Sequence, residues 1–74
     1  MEAKEIQQRI SGYGLMDTLE DTLQVVVVGG VARSTIYAAF QSGPTTTRKK
    51  IILETAKQII AQHEASVAEA VMAL

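Results

Sequence analysis

The 74-residue sequence predicts an all-α fold of four helices in a single domain, residues 1–74. Apolar residues recur at intervals of three and four in each long segment, which is the period of one helix face. Glycine-containing breaks separate these segments. One short run, Val25–Val28, has the β-branched composition of a strand. The sequence offers no second strand to pair with it, and an isolated strand is not stable.

The first predicted helix covers residues 2–10. Ile6 and Ile10 are four residues apart and therefore share one face, with charged and amide side chains around them. The segment Ser11–Gly14 ends this helix, because glycine readily adopts the left-handed conformation that closes a helix C-terminus.

The second predicted helix runs over residues 15–28. Its apolar side chains follow the same spacing, and Asp17 with Glu20 three residues later is typical of a capping box. We interpret Val25–Val28 as the end of this helix, although β-branched residues lose side-chain freedom there. Gly29 and Gly30 then break the helix.

The third predicted helix covers residues 32–41, with Ile36 and Phe40 on its apolar face. A turn at Ser42–Pro44 follows. The fourth helix is expected to begin after an N-cap at Thr46 or Thr47 and to continue for 25 residues or more. The core of the domain is therefore expected over about residues 15–60, and the long helix over about 46–74.

Length and composition exclude several classes of protein. A 74-residue chain with one His and no Cys has little catalytic chemistry, so we expect no enzyme, no disulfide, no metal site and no cofactor. The apolar runs fall far short of the roughly 20 residues needed to cross a bilayer, and the N-terminus has no apolar h-region. We therefore expect a cytoplasmic protein without a membrane partner. A core this small is marginal, which favours oligomerisation.

The net charge of −1 conceals an uneven distribution. Residues 25–60 contain five of the seven Lys and Arg residues but only one acid, and both ends of the chain are acidic. A basic block of this kind is an electrostatic footprint for phosphate groups. An ordinary solvated helix face is the alternative explanation for these side chains.

Residues 22–40 have the order of a helix-turn-helix unit. Gly30 can take a positive φ in the tight turn, and Val31 follows as a buried turn residue. Ile36 would be the inner anchor of the second helix, and Val26 the small inward residue of the first. In such a unit the second helix enters the major groove of DNA.

The segment Gly30–Tyr37, Gly-Val-Ala-Arg-Ser-Thr-Ile-Tyr, resembles the "Gly-Val-Ser-x-x-Thr-Val/Ile-x" signature of lactose-repressor-type and phage-repressor-type helix-turn-helix domains. The segment Pro44–Ile51 resembles the start of the helix that follows in lactose-repressor-type proteins. The resemblance covers residues 21–57, about half of the chain.

The sequence departs from these families in three places. Ala32 stands where they usually have Ser, which removes a side-chain N-cap worth about 0.5–2 kcal/mol. Val25–Val28 replaces a helix that is usually polar, and Ala38 stands where lactose-repressor-type proteins often have a basic residue.

The resemblance implies a sequence-specific protein that binds double-stranded DNA, such as a small dimeric transcriptional regulator or a DNA-binding protein of a phage or mobile element. Its recognition helix would be residues 32–41, with Arg33 able to bond guanine O6 and N7. The residues implied to contact bases are Arg33, Ser34, Tyr37 and Ala38. The residues implied to contact phosphates are Thr35, Ser42, Thr47, Arg48 and Lys49. For Tyr37, half-buried packing is the alternative role.

The last helix carries a heptad pattern that predicts a homodimer. The predicted interface consists of Leu53, Ala56, Ile60, His63, Val67, Ala70 and Leu74. A second stripe could pack on the helix-turn-helix, and it consists of Ile51, Ile52 and Ile59. Alternatively, this amphipathic helix folds onto its own domain, although the part beyond about residue 62 exceeds a three-helix core.

A second functional hypothesis remains open. The same helices could serve protein–protein contacts in a helical assembly or adaptor subunit, such as a virion or terminase-like component. Steep salt dependence of DNA binding would favour the first hypothesis, and no binding at moderate salt would favour the second.

Overall fold

The fold is all-α, as predicted. The computed structural model describes residues 1–73, and over that range it contains four α-helices and no strand. The helices are α1 (Ala3–Gly12), α2 (Met16–Val26), α3 (Arg33–Ser42) and α4 (Thr47–Met72). None of these helices is both long and apolar enough to span a membrane.

Helix α4 is the element on which the other three pack. Helices α1, α2 and α3 all contact α4, and α1 also contacts α3. The core between them is aliphatic apart from Phe40, which is fully buried. The buried apolar residues are Ile6, Ile10, Leu19, Leu23, Val27, Val31, Ile36, Ala39, Phe40, Ile52, Leu53, Ala56, Ile59 and Ile60. Of the predicted second stripe on α4, Ile52 and Ile59 are buried, whereas Ile51 is 37% exposed.

The valine run does not remain helical to its end. Helix α2 ends at Val26, and Val27 is extended, with φ −104° and ψ 122°. The predicted helical conformation is therefore wrong for Val27 and Val28, although neither joins a sheet. The extended backbone directs Val27 into the core at 9% exposure, while Val26 is 52% exposed. Val27, not Val26, is thus the inward residue at this end of α2.

The connection between α2 and α3 has the features predicted for Gly30 and Val31. Gly30 has a φ of +76°, and Val31 is 5% exposed. The side-chain amide Nε2 of Gln24 donates to the Val31 carbonyl oxygen at 2.9 Å, which ties the turn back to α2. Only residues 28–31 separate the C-cap of α2 from the N-cap of α3.

The helix N-caps agree with the sequence predictions at two positions and differ at one. Thr46 caps α4 by accepting a hydrogen bond from the Lys49 backbone N–H at 3.2 Å. Ala32 caps α3 without a side-chain hydrogen bond, as expected. The predicted capping box at Asp17 is wrong, because the N-cap of α2 is the half-buried Leu15, two residues earlier.

Helix α4 extends beyond the core. Its 26 residues correspond to a length of about 39 Å, and the longest dimension of the molecule is 42 Å. Residues 65–73 are all exposed, which confirms that the helix outruns the domain. We call residues 65–72 the α4 tail.

The residues of the predicted dimer interface differ in their exposure. Leu53, Ala56 and Ile60 are at most 4% exposed, because they pack on α1–α3 of the same chain. These three residues therefore have no surface to offer a partner. His63 is half-buried, Val67 and Ala70 are exposed, and Leu74 lies outside the described residues.

Candidate nucleic-acid interface

The solvent side of α3 carries the residues implied to contact bases. Arg33, Ser34 and Tyr37 are exposed, and Ala38 is half-buried beside them. Gln41, which is not among the residues implied to contact bases, is also exposed one turn beyond Tyr37. The Tyr37 ring packs edge-on against Phe40 at a centroid distance of 6.4 Å while 40% of the residue remains exposed. Tyr37 thus has both a packing contact and an accessible surface.

Arg33 is not free on this surface. Its Nε and Nη2 atoms donate to Glu20 Oε2 at 2.9 and 2.6 Å, and Nη2 also donates to Asp17 Oδ1 at 3.1 Å. The hydrogen bond with Glu20, followed by the attraction of its charge, raises the pKa of Arg33 further above its usual value. The guanidinium therefore lies in an ion-pair cluster between α2 and α3. We call this cluster of Arg33, Asp17 and Glu20 the Arg33 clamp.

Sequence reasoning assigned the two acids of the clamp to a different role. Asp17 and Glu20 are three residues apart, and this spacing was interpreted as a capping box. The same spacing also places two carboxylates on one helix face, and an arginine lies at the start of the next helix. That combination was the available signal for the clamp.

The first turn of α4 carries an unusual concentration of positive charge. Arg48, Lys49 and Lys50 follow one another, and the first turn contains no acid. Within residues 1–73 none of the three forms an ion pair, whereas Arg9, Arg33 and Lys57 all do. A helix N-terminus already carries a partial positive charge, so cations are unfavourable there and an anion is favourable.

A hydrogen-bonded cluster joins this turn to the end of α3. Lys49 Nζ donates to Ser42 Oγ at 2.8 Å and to Thr45 Oγ1 at 3.3 Å. Ser42 Oγ in turn donates to the Ala38 carbonyl oxygen at 2.9 Å. Of the residues implied to contact phosphates, the structure thus brings Ser42 and Lys49 together.

The other residues implied to contact phosphates lie in two places. Thr47 and Arg48 are exposed in the first turn of α4, next to Lys49 in the chain. Thr35 is half-buried in the first turn of α3, at the opposite end of that helix from Ser42. Thr35 is therefore not part of the cluster.

A groove of about 680 Å³ adjoins the cluster. The N-terminal residues 1–4, the α3–α4 turn and one side of α4 form its walls, and Lys4, Lys50 and Lys57 are among its lining residues. Lys4 is not among the residues predicted from the sequence. Nothing in the sequence pattern places residue 4 near residue 50, because this proximity depends on how α1 packs against α4.

Residues 1–73 contain no group of three or more His, Asp or Glu side chains arranged to hold a metal ion. His63 instead stacks at a tilt against Tyr13, with ring centroids 4.5 Å apart.

In comparisons with known proteins, the chain matches no family model, no curated protein and no solved structure. The resemblance to helix-turn-helix domains therefore rests on the residues themselves.

Proposed function

We propose that the chain is a sequence-specific protein that binds double-stranded DNA as a homodimer, in the manner of a small transcriptional regulator or a DNA-binding protein of a phage or mobile element. The main support is the run Arg48–Lys50, which has no ion-pair partner within residues 1–73 and lies at a helix N-terminus beside the exposed face of α3. Phosphate groups would neutralise this charge and accept from the free backbone N–H groups.

The short connection between the caps of α2 and α3 supports the helix-turn-helix part of the proposal. Such units join two helices by three or four residues, often including glycine. Here six residues, 27–32, join α2 and α3, and four of them lie between the two caps, with Gly30 in the left-handed region. In the proposed complex α3 lies in the major groove, where Ser34, Tyr37 and Gln41 reach base edges.

The α4 tail supports the proposed homodimer. It exposes Val67 at 49%, Val71 at 63% and Met72 at 86%, and Glu69 is its only charged residue. Burying these side chains against a second copy would stabilise a domain whose own core is small. A twofold dimer would also present two copies of α3 to one face of DNA.

A salt titration of duplex binding tests the proposal. Fluorescence anisotropy with a labelled duplex is expected to show affinity that falls steeply with salt, since each phosphate contact contributes about −0.9 to the logarithmic slope. Lys49→Ala should lower that slope by about one and reduce the affinity for duplexes of every sequence equally. Lys57→Ala is the matched control, because Lys57 is paired with Glu54 at 3.2 Å, and it should change the slope little. An absence of binding at low salt would overturn the proposal.

One observation favours the assembly or adaptor hypothesis as a second candidate. Val25 is 87% exposed and Val28 98% exposed, with Val26 at 52% between them in the chain. Clustered exposed valines are more typical of a protein contact than of a phosphate contact. This candidate gains support if the wild-type protein selects no motif from random duplexes, and loses it if a motif emerges.

A further inference from the structure

The donors of Arg33 are divided between two acids of α2 and solvent. A guanidinium has five N–H groups, one on Nε and two on each Nη atom. The Nε group and one Nη2 group donate to Glu20, and the other Nη2 group donates to Asp17. Nη1 makes no hydrogen bond within residues 1–73 and keeps both of its groups for another acceptor.

This division determines what Arg33 can bind while the clamp is closed. Paired contacts to a guanine edge or a phosphate use two neighbouring nitrogens, either Nε with Nη2 or Nη1 with Nη2. Both combinations include Nη2, whose two groups are occupied. A closed clamp therefore restricts Arg33 to hydrogen bonds from Nη1 and excludes the paired contact implied by the family resemblance.

We propose that Asp17 and Glu20 compete with DNA for the Arg33 guanidinium, and that this competition regulates the affinity of α3 for its duplex. The inference rests on the proposed DNA-binding function. The clamp can open because water reaches all three of its side chains, which are 51% exposed at Arg33, 90% at Asp17 and 32% at Glu20. Exposed ion pairs are individually weak, so an approaching phosphate or guanine can displace the carboxylates.

The test compares two adjacent acids of α2, of which only Glu20 bonds to Arg33. Glu20→Gln and Asp21→Asn remove the same charge from the helix, but Asp21 is exposed and has no hydrogen bond or ion pair with Arg33. Duplex affinity is measured by anisotropy with a labelled random-sequence duplex at fixed salt. Glu20→Gln is expected to raise affinity about fivefold more than Asp21→Asn, a factor typical of the stronger exposed ion pairs.

An Arg33→Ala background completes the cycle. In that background the two charge removals should raise affinity equally, because no guanidinium remains to be released. Circular dichroism of each variant verifies that the helices are intact.

Three results would overturn the inference. Equal gains from Glu20→Gln and Asp21→Asn in the presence of Arg33 would refute the competition and leave the DNA-binding function standing. A loss of affinity in Glu20→Gln would show that Glu20 supports the Arg33–DNA contact. No duplex binding by the wild type or any variant at low salt would refute the proposed function, and the inference with it.

Discussion

The Tyr13 hydroxyl donates a 2.6 Å hydrogen bond to the Glu64 carboxylate and so joins the residue after α1 to α4. Arg9 Nη1 donates to the same carboxylate oxygen at 3.3 Å, and the His63 ring lies against Tyr13. Glu64 is half-buried, and every described residue after it in α4 is exposed. This contact therefore marks the boundary between the domain and the α4 tail.

Tyr13→Phe is expected to remove a pH-dependent part of the stability. The hydrogen bond to Glu64 is the largest cause that raises the pKa of Tyr13 above 10.0, so the folded state favours the protonated phenol. The stabilisation is therefore present below pH 10 and is lost as the pH rises through the raised pKa. Urea unfolding on both sides of pH 10 should show a steeper loss in the wild type than in Tyr13→Phe.

Tyr37→Phe is the control for that experiment, because the Tyr37 hydroxyl makes no hydrogen bond within residues 1–73. It should keep the wild-type pH dependence. The same dependence in all three proteins would mean that the Tyr13–Glu64 contact does not contribute to stability.

Gly29→Ala and Gly30→Ala are expected to destabilise the fold unequally. Both glycines have a positive φ, so each alanine incurs about 1–2 kcal/mol of backbone strain. At Gly30 a Cβ would also collide with the side-chain oxygen of Gln24, whereas at Gly29 it meets nothing within 4 Å. Displacing Gln24 breaks its hydrogen bond to Val31, which adds about 1 kcal/mol. Equal unfolding free energies in urea would contradict this account.

Val27→Ala and Val28→Ala are neighbouring substitutions that should change the free energy of unfolding by very different amounts. Val27 is 9% exposed and Val28 is 98% exposed. Truncation of Val27 should reduce the free energy of unfolding by about 1.5–3 kcal/mol, since it removes buried methyl groups and leaves a cavity. Truncation of Val28 should change it by less than about 0.5 kcal/mol. Chemical denaturation of both variants provides the measurement. A large loss of unfolding free energy in Val28→Ala would mean that this side chain makes a contact that the structure does not contain.

Ala32→Ser is expected to stabilise the protein by about 0.5–2 kcal/mol. Ala32 has the extended backbone of an N-cap, with φ −70° and ψ 149°, and is exposed, so a hydroxyl has room to accept from the first turn of α3. Ala65→Ser in the exposed α4 tail is the control and should have a small unfavourable effect through helix propensity. If Ala32→Ser gave no more stability than Ala65→Ser, the backbone N–H groups in the first turn of α3 would not need a side-chain cap.

Val67→Glu is expected to convert the proposed dimer to a monomer. Val67 is half exposed and lies beyond the core, so the substitution should leave the domain folded. Ala65→Glu adds the same charge on the opposite face of α4, about 160° away around the helix, and should leave the mass unchanged. Sedimentation equilibrium measures both variants. A monomeric wild type would remove the homodimer from the proposal.

The existence of the four helices and of the glycine-containing breaks was predictable because it depends on neighbouring residues. Apolar spacing located the four helices, and the Thr46 cap and the Gly30 turn followed from local side-chain chemistry. The end of α2 was not predictable in this way. Val27 is extended and its side chain lies in the core, and that placement depends on residues distant in the chain.

The candidate site was predictable only as a set of residue types. Exposure of Ser34 and Tyr37 followed from helical periodicity, but the clamp on Arg33 depends on the relative position of α2 and α3. The heptad pattern of α4 is ambiguous for a related reason. Leu53 and Ile60 have the same heptad spacing whether they pack on their own domain or on a second copy, so the pattern alone does not distinguish the two.

The direction of the α4 tail limits how any partner can be arranged. Leu53, Ile60 and Val67 are seven residues apart, so they lie along nearly the same side of α4. That side carries α1–α3 up to Ile60 and is uncovered at Val67. A molecule that covers Val67 would therefore lie on the same side of α4 as α1–α3, next to the end of the domain where Tyr13 bonds to Glu64. The opposite side of α4 would stay in water. The end of the domain would become one wall of the contact, and its shape would help to select the partner.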